Sequence, residues 1–393
     1  MVTIPCQMNT NLGKTMKQKA PRHRLLQTLR RPAFVLTALS SVAGMAHAQA
    51  NVEIFGLLDI GYLYTSADGN GSVSSINTDG NTSSRLGFRG TEDLGGGLKA
   101  AFWLEAAVSP DNGTGGSTSV DNKTAGLSGI AGSQGLTFGR RSTVSLIGGF
   151  GELRLGRDYV PSFNNLTVSM HPFGTNGVGN AGQLFYQVNT GGTTARTNVR
   201  ASNSIGYFLP AGLGGFTGHF MYAMGEQASN AGVPPGSIAD DGNHVGARIG
   251  YRSGDLNMAL ATGTTKYATG DFTQTNFAIN YQVGAAKLMY LWGKNDVGVT
   301  STTVNMVGTQ YKVSTGEVRF AYTTLKADKV ANDATQWAVG YVHDLSKRTA
   351  LYANYSQVSN DGTGVKFSVG SGDSPKTPGG GSTGYEFGVR HSF

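Results

Sequence analysis

From Val52 through Tyr64 the chain alternates: Val52, Ile54, Gly56, Leu58, Ile60 and Tyr62 fall on one face of an extended backbone, and Glu53 and Asp59 fall on the other. A period of two marks a strand with one apolar and one wetted face. This strand exceeds the roughly 5–6 residues usual in soluble sheets and reaches the ~9–11 needed to cross a bilayer at a tilt. The end of the chain repeats the pattern, with Tyr385, Phe387, Val389, His391 and Phe393 alternating with Glu386, Gly388, Arg390 and Ser392. A lipid-exposed sheet edge would leave N–H and C=O groups unpaired at several kcal/mol each, so the last strand is expected to pair with the first.

Between these strands the connections alternate in length. Tight turns are predicted at 93–97, 148–151, 210–215, 253–255, 283–285, 314–316 and 344–348. The other connections, such as 65–81, 109–135, 226–242 and 358–382, are longer and rich in Gly, Ser, Thr, Asn and Asp. Seven turns and eight loops make sixteen strands, an even count with the asymmetry of a closed transmembrane β-barrel. Tyr62, Tyr64, Tyr207, Phe208, Tyr281, Tyr341 and Tyr355 sit near strand ends, where an interfacial girdle belongs; a soluble β-sandwich would bury such rings between its sheets. The fold class expected is all-β, a 16-stranded antiparallel transmembrane barrel.

The first 48 residues read differently. Lys14, Lys17, Lys19, Arg22, Arg24, Arg30 and Arg31 precede a mostly apolar run from Ala33 to Ala46, and Ala46-His47-Ala48 offers the small-x-small pattern of a cleavage site. Residues 1–48 are therefore expected to be a signal peptide, with Gln49 as the mature N-terminus; Met16 offers an alternative start. The run is too short for a helical span, and no run of eighteen apolar residues follows it. Of 31 Lys and Arg, seven lie in this segment with no acid, so residues 49–393 carry 24 basic and 24 acidic groups. The formal +7 belongs to the export signal, and a nucleic-acid partner has no support. The sole cysteine, Cys6, leaves with it, so neither disulfides nor thiolate metal sites are expected.

One connection is far beyond ordinary loop length. From Asp158 to Asn198, 41 residues separate the strands predicted at 152–157 and 199–209, and Tyr159, Phe163, Leu166, Met170, Phe173, Leu184, Phe185 and Tyr186 are spread through them. A solvated outer loop has no use for so many apolar side chains, so this one is expected to pack against the inside wall. No His-Glu-x-x-His, Gly-x-Ser-x-Gly, P-loop or cysteine site occurs in the mature chain, which excludes the familiar catalytic constellations. Asp68-Gly-Asn-Gly and Asp240-Asp-Gly-Asn243 hold oxygen ligands, but neither completes a Ca²⁺ spacing, and both read as solvated turns. No metal or other cofactor is expected.

The segments from Arg85-Leu-Gly-Phe-Arg-Gly-Thr-Glu-Asp-Leu to Ala100, Leu153-Arg-Leu-Gly-Arg-Asp-Tyr159, Asn203-Ser-Ile-Gly-Tyr207 and Gly388-Val-Arg-His-Ser-Phe393 resemble the Gram-negative general porins, most closely their β-proteobacterial branch. The resemblance spans nearly the whole mature chain. It implies a water-filled pore in the outer membrane for passive diffusion of ions and small hydrophilic solutes, with no enzymatic activity. It further implies a homotrimer whose third loop folds inward, contact with outer-membrane lipid and lipopolysaccharide, and recognition of the C-terminal Phe393 by the barrel assembly machinery. An enzyme barrel would need a catalytic constellation, and a receptor barrel larger loops or a plug.

The family's wall arginines match Arg85, Arg140 and Arg200; Arg89 shares the face of Arg85, and Arg141 competes with Arg140 for the inward position. The family's loop motif Pro-Glu-Phe-Gly matches Pro172-Phe173-Gly174, from which the Glu is missing. Between Tyr159 and Val199 there is no Asp or Glu, so the loop lacks the acidic half of the family's transverse field. With those arginines facing a loop without carboxylates, the pore is expected to prefer small anionic solutes; Glu53, Asp59 and Glu105 point inward by alternation and offset part of the field if they sit at the height of the constriction.

Overall fold

The computed structural model describes residues 51–393 except 117, 120–121, 124–129, 132–134, 168, 187–196, 228–237, 269, 330 and 363–366. The expected signal peptide, residues 1–48, lies outside the described residues.

Among the described residues the main sheet holds eighteen strands, antiparallel throughout. Two of them, Gly71–Thr78 and Arg85–Gly95, lie in line along one edge of Asn51–Ala67, one against Ile60–Ala67 and the other against Asn51–Leu57. They fill one barrel position. Thr114–Gly115 merely extends the end of Leu98–Ser109. Sixteen barrel positions remain: the strand Asn51–Ala67, the broken strand, and the fourteen from Leu98–Ser109 through Ser382–Ser392.

The ring closes between Leu57–Ala67 and Ser382–Ser392. Phe393 adds one further pair: its N–H donates to the Gly56 carbonyl at 3.0 Å, and Gly56 N–H donates to the Phe393 carbonyl at 3.1 Å. The Phe393 ring lies over Gly56, where a Cβ would come within 2.3 Å of the ring. Glycine at position 56 is what lets the last side chain close the seam.

Alternation sorts the wall. Val144, Leu146, Leu153, Leu155, Val245 and Ile249 are exposed on the outer face, while Gln274, Asn276, Asn280, Asn295, Gln310 and Gln336 are buried inside. An apolar exterior over a polar interior is the reverse of a soluble sandwich and suits lipid. Tyr64 stacks on Tyr385 at 4.9 Å and Tyr62 on Phe387 at 5.2 Å, forming part of the expected aromatic girdle.

All seven predicted short turns are present. The expected long loop at 65–81 is not: the first strand runs on to Ala67, turns through Asp68–Asn70, and returns as Gly71–Thr78. Gly69 and Gly71, at φ of 73° and 83°, supply the left-handed backbone that this tight reversal needs. What interrupts the strand comes later, at 79–84, where the chain leaves the wall before pairing resumes at Arg85.

The long connection begins after Gly151–Tyr159 and ends before Arg200–Phe208, so Asp158 and Tyr159 belong to the strand rather than to the loop. It contains a 3₁₀ turn, Pro161–Leu166, and a short helix, Gly182–Tyr186. As expected, it lies inside the barrel. Leu166, Met170, Phe173, Val178, Leu184 and Phe185 form one core with Ala259, Ala278, Met289, Leu291, Met306 and Leu325, which sit on the inner face of the strands between 256 and 327. Backbone carbonyls buried on the loop need donors, and wall amides supply them. Asn276 Nδ2 donates to Ser162 O (2.9 Å), Asn280 Nδ2 to Ser169 O (2.7 Å), Gln310 Nε2 to Pro172 O (3.0 Å) and Asn295 Nδ2 to Phe185 O (3.1 Å).

Candidate functional site at the constriction

With the loop against one wall, the opening lies toward the other. Arg85, Arg140 and Arg200 come together there, although they arise from strands or strand ends far apart in sequence. Arg140 Nε contacts Glu105 Oε1 at 2.6 Å and Arg85 Nη1 contacts the same oxygen at 3.5 Å. The Tyr159 hydroxyl accepts from Arg140 Nη2 at 3.1 Å and from Arg200 Nη2 at 2.9 Å. Arg200 Nε donates to the Arg140 carbonyl at 2.8 Å, and Arg85 Nε to the Ser83 carbonyl at 2.9 Å. Three guanidiniums therefore share one carboxylate and one phenol. Their planar donor forks are fixed by these bonds, so the excess positive charge is held in place rather than swept by flexible stems.

Arg140 stands just outside the strand Arg141–Gly148, not at its start. Its neighbour Arg141 points to a different group. Arg141 lies 3.8 Å from Asp158 and 4.6 Å from the Trp103 ring centre; Arg89 lies over the same ring at 5.1 Å and pairs bidentately with Glu53 at 2.8 and 2.9 Å. Both line a separate cavity of about 340 Å³ together with Trp103, Glu152 and Arg154. Arg89 pairs with Glu53, while Arg141 shares Asp158 with Arg154, which also pairs with Glu152; three arginines against three carboxylates leave this second group close to neutral, and it does not join the trio.

The inward acids have distinct fates. Glu105 sits among the three arginines and cancels one charge. Glu53 serves Arg89. Asp59 is fully buried, accepting from Tyr352 Oη at 2.6 Å and from the Asn81 and Thr82 N–H groups at 2.9 and 2.7 Å.

Pro172, Phe173 and Gly174 seat the loop and do not face the opening. Phe173 is buried in the loop core, and Gly174 takes φ 62° to close a turn onto the His171 carbonyl at 3.0 Å. His171 is completely enclosed beside Arg319, and burial pushes its ring down to about 3, so Nδ1 accepts the Phe173 N–H as a neutral imidazole.

A cavity of about 540 Å³ is lined by Asn77, Thr78 and Asp79, by Thr175, Asn176 and Gly177 of the loop, and by Asn198, Gly370 and Glu386. Sequence reasoning missed the segment 79–84, and also Arg248 and Arg319. Arg248 Nε donates to Asn165 Oδ1 of the loop at 2.7 Å, and Arg319 Nη1 to Asn81 Oδ1 at 2.9 Å. The available signal was alternation, which sets Arg248 and Arg319 on the face opposite the apolar Val245, Ile249, Phe320 and Tyr322, and so toward the lumen where the loop docks.

A closed sixteen-position barrel with an apolar exterior, a polar lumen and a loop narrowing it around a charged group defines a diffusion channel of the outer membrane. Residues 35–363 match the family model described as Gram-negative porin. The chain is 35% identical over 378 residues to Outer membrane porin protein 32 of Delftia acidovorans, covering 92% of this chain and 99% of that one. Its fold superimposes on the solved structure of an anion-selective porin from Comamonas acidovorans with a TM-score of 0.73 at 33% identity, across 88% of this chain and 100% of that one. A trimer form of OmpT from Vibrio cholerae shares the fold alone, with a TM-score of 0.57 at 15% identity over 88% of this chain and 99% of that one. The chain belongs to the Gram-negative porin family, and it is an outer-membrane channel rather than an enzyme.

Proposed function

We propose that this porin is an anion-preferring diffusion channel whose eyelet is set by Arg85, Arg140 and Arg200 against the loop 160–199. The observation that carries this reading is stoichiometric: of the three guanidiniums, Arg85 and Arg140 contact Glu105, Arg200 joins them through Tyr159 and the Arg140 carbonyl, Glu105 is the one carboxylate the trio touches among the described residues, and the loop facing them has no acid. The similar anion-selective porin from Comamonas acidovorans supports the same sign. Arg89, paired with Glu53, and Arg141, which shares Asp158 with Arg154, line the second cavity and contribute little to selectivity.

The solutes are small anions and polar molecules. The working unit is a homotrimer in outer-membrane lipid and lipopolysaccharide, an assignment supported by the trimer form of a protein sharing the fold. Phe393 is the end read by the barrel assembly machinery. The trimer assignment predicts heat-modifiable mobility: unheated protein in SDS should run as an oligomer and boiled protein as a monomer, whereas monomeric mobility without heating contradicts it.

The eyelet reading is checked by ionic strength. Exposed charges are screened over a Debye length of about 8 Å at physiological salt and about 3 Å at 1 M. The chloride preference should therefore shrink toward unity as KCl rises to about 1 M. A preference independent of salt would point to pore size or a dehydrated binding site instead.

A further inference from the structure

We propose that Asp79 is the counter-charge of the eyelet: the break in the second barrel strand carries it into the lumen, where it sets the upper limit of the channel's anion preference. The inference rests on the reading of Arg85, Arg140 and Arg200 as the selective wall.

The family-like loop has no carboxylate to offer, yet the lumen is not without one. At 79–84 the chain steps off the wall and inward, and it is held there from both sides. The buried Asp59 carboxylate accepts the N–H groups of Asn81 and Thr82 at 2.9 and 2.7 Å, while Arg319, from across the barrel, donates to Asn81 Oδ1 at 2.9 Å. The segment also meets the loop tip. The Ser83 hydroxyl and the Asn176 amide are 2.8 Å apart, and Gly177, at φ 66°, is wedged so that a Cβ would lie 2.0 Å from the Gly80 carbonyl. A structure braced this thoroughly fixes whatever charge it carries.

That charge is Asp79. It occupies the left-handed region at φ 69°, a conformation that Asp and Asn tolerate better than other residues with a side chain. Its Oδ1 accepts from Thr78 Oγ1 at 2.9 Å and from the Ser84 N–H at 2.6 Å. It lines the 540 Å³ cavity and stands within electrostatic reach of Arg85 and Arg140. Two carboxylates line that cavity among the described residues. The other, Glu386, is 4% exposed, and its Oε1 accepts the Val178 N–H and the Asn354 amide, so it tethers the loop. Asp79 is half-buried and opens onto the cavity.

The test is Asp79→Asn in the full channel. Asparagine retains an oxygen for the Ser84 N–H and the Thr78 hydroxyl and accepts the same backbone, so it removes charge while keeping the brace. In a KCl gradient near 0.1 M the chloride-over-potassium permeability ratio should rise about twofold above wild type, and the difference should fade near 1 M. Asn77→Asp, which adds a carboxylate on the same rim of the cavity, should lower the ratio by a similar factor and keeps the proposal testable if the first variant fails to assemble. An unchanged ratio in either variant, in channels with wild-type gel mobility, overturns the proposal. A cation-preferring wild type would instead contradict the eyelet reading, and a rise on Asp79→Asn would then still uphold Asp79 as a charge on the passage.

Discussion

Changing Arg85 and Arg200 together to serine is expected to abolish the chloride preference and leave the pore neutral or weakly cation-preferring. A unit charge about 7 Å from a passing ion is worth about 0.6 kcal/mol at bulk-water dielectric. Screening over a Debye length of about 8 Å cuts this to about 0.25 kcal/mol. An anion gains that amount and a cation loses it, so each uncompensated charge separates the two by about 0.5 kcal/mol, roughly two- to threefold in permeability. In the wild type, three arginines less Glu105 leave an excess of two. The double variant leaves Arg140 paired with Glu105 at 2.6 Å and no excess. Arg140 keeps its bond to Tyr159, so the local scaffold survives the change. Reversal potentials of the two channels, measured side by side, decide the matter. Unchanged selectivity in the double variant would remove these arginines from the eyelet.

Deleting Phe393 is expected to deplete the protein from the outer membrane while leaving removal of the N-terminal segment intact. The structure separates two contributions. As a stabilising contact, Phe393 closes one pair of hydrogen bonds with Gly56 beyond the ladder of Leu57–Ala67, a net of about 1–3 kcal/mol at the usual value per bond. That is small beside a barrel closed around its whole circumference. As an assembly signal its loss acts on nearly every chain. The fraction that does assemble should therefore denature close to the wild-type temperature, while its amount falls severely. Normal amounts of trimer from the deleted form would show that the closing pair is structural and nothing more.

The barrel was legible because its dominant rule is local: alternation in Val52–Tyr64 and Tyr385–Phe393 reports which face meets lipid, and glycine- and aspartate-bearing turns punctuate the strands. The seating of the long loop was legible from apolar residues that had nowhere else to go. The break at 79–84 was not. Asp-Gly-Asn-Thr-Ser-Ser reads as one more polar turn, and the preceding Gly71–Thr78 is too polar on both faces to announce a strand. Its inward course depends on Asp59 and Arg319, which are distant in sequence. Arg140 and Arg141 show the same limit. Adjacent in sequence, they serve separate groups because strand pairing begins at Arg141, a boundary that pattern alone does not fix to one residue. The role of Glu105 as the shared partner of two arginines likewise required the register that sets Arg85 beside Ala107 and Arg141 beside Glu105.

The central claim is that placement of charge, and not net charge, sets what this formally balanced barrel prefers. It is tested most directly by the zero-current potential of the wild-type channel in a planar bilayer across a KCl gradient at a mean near 0.1 M. The account predicts stepwise conductance without any ligand and a potential of the sign given by chloride permeating roughly fivefold better than potassium, reduced toward two- to threefold by Asp79. A potential of the opposite sign, with potassium the more permeant ion, would contradict it.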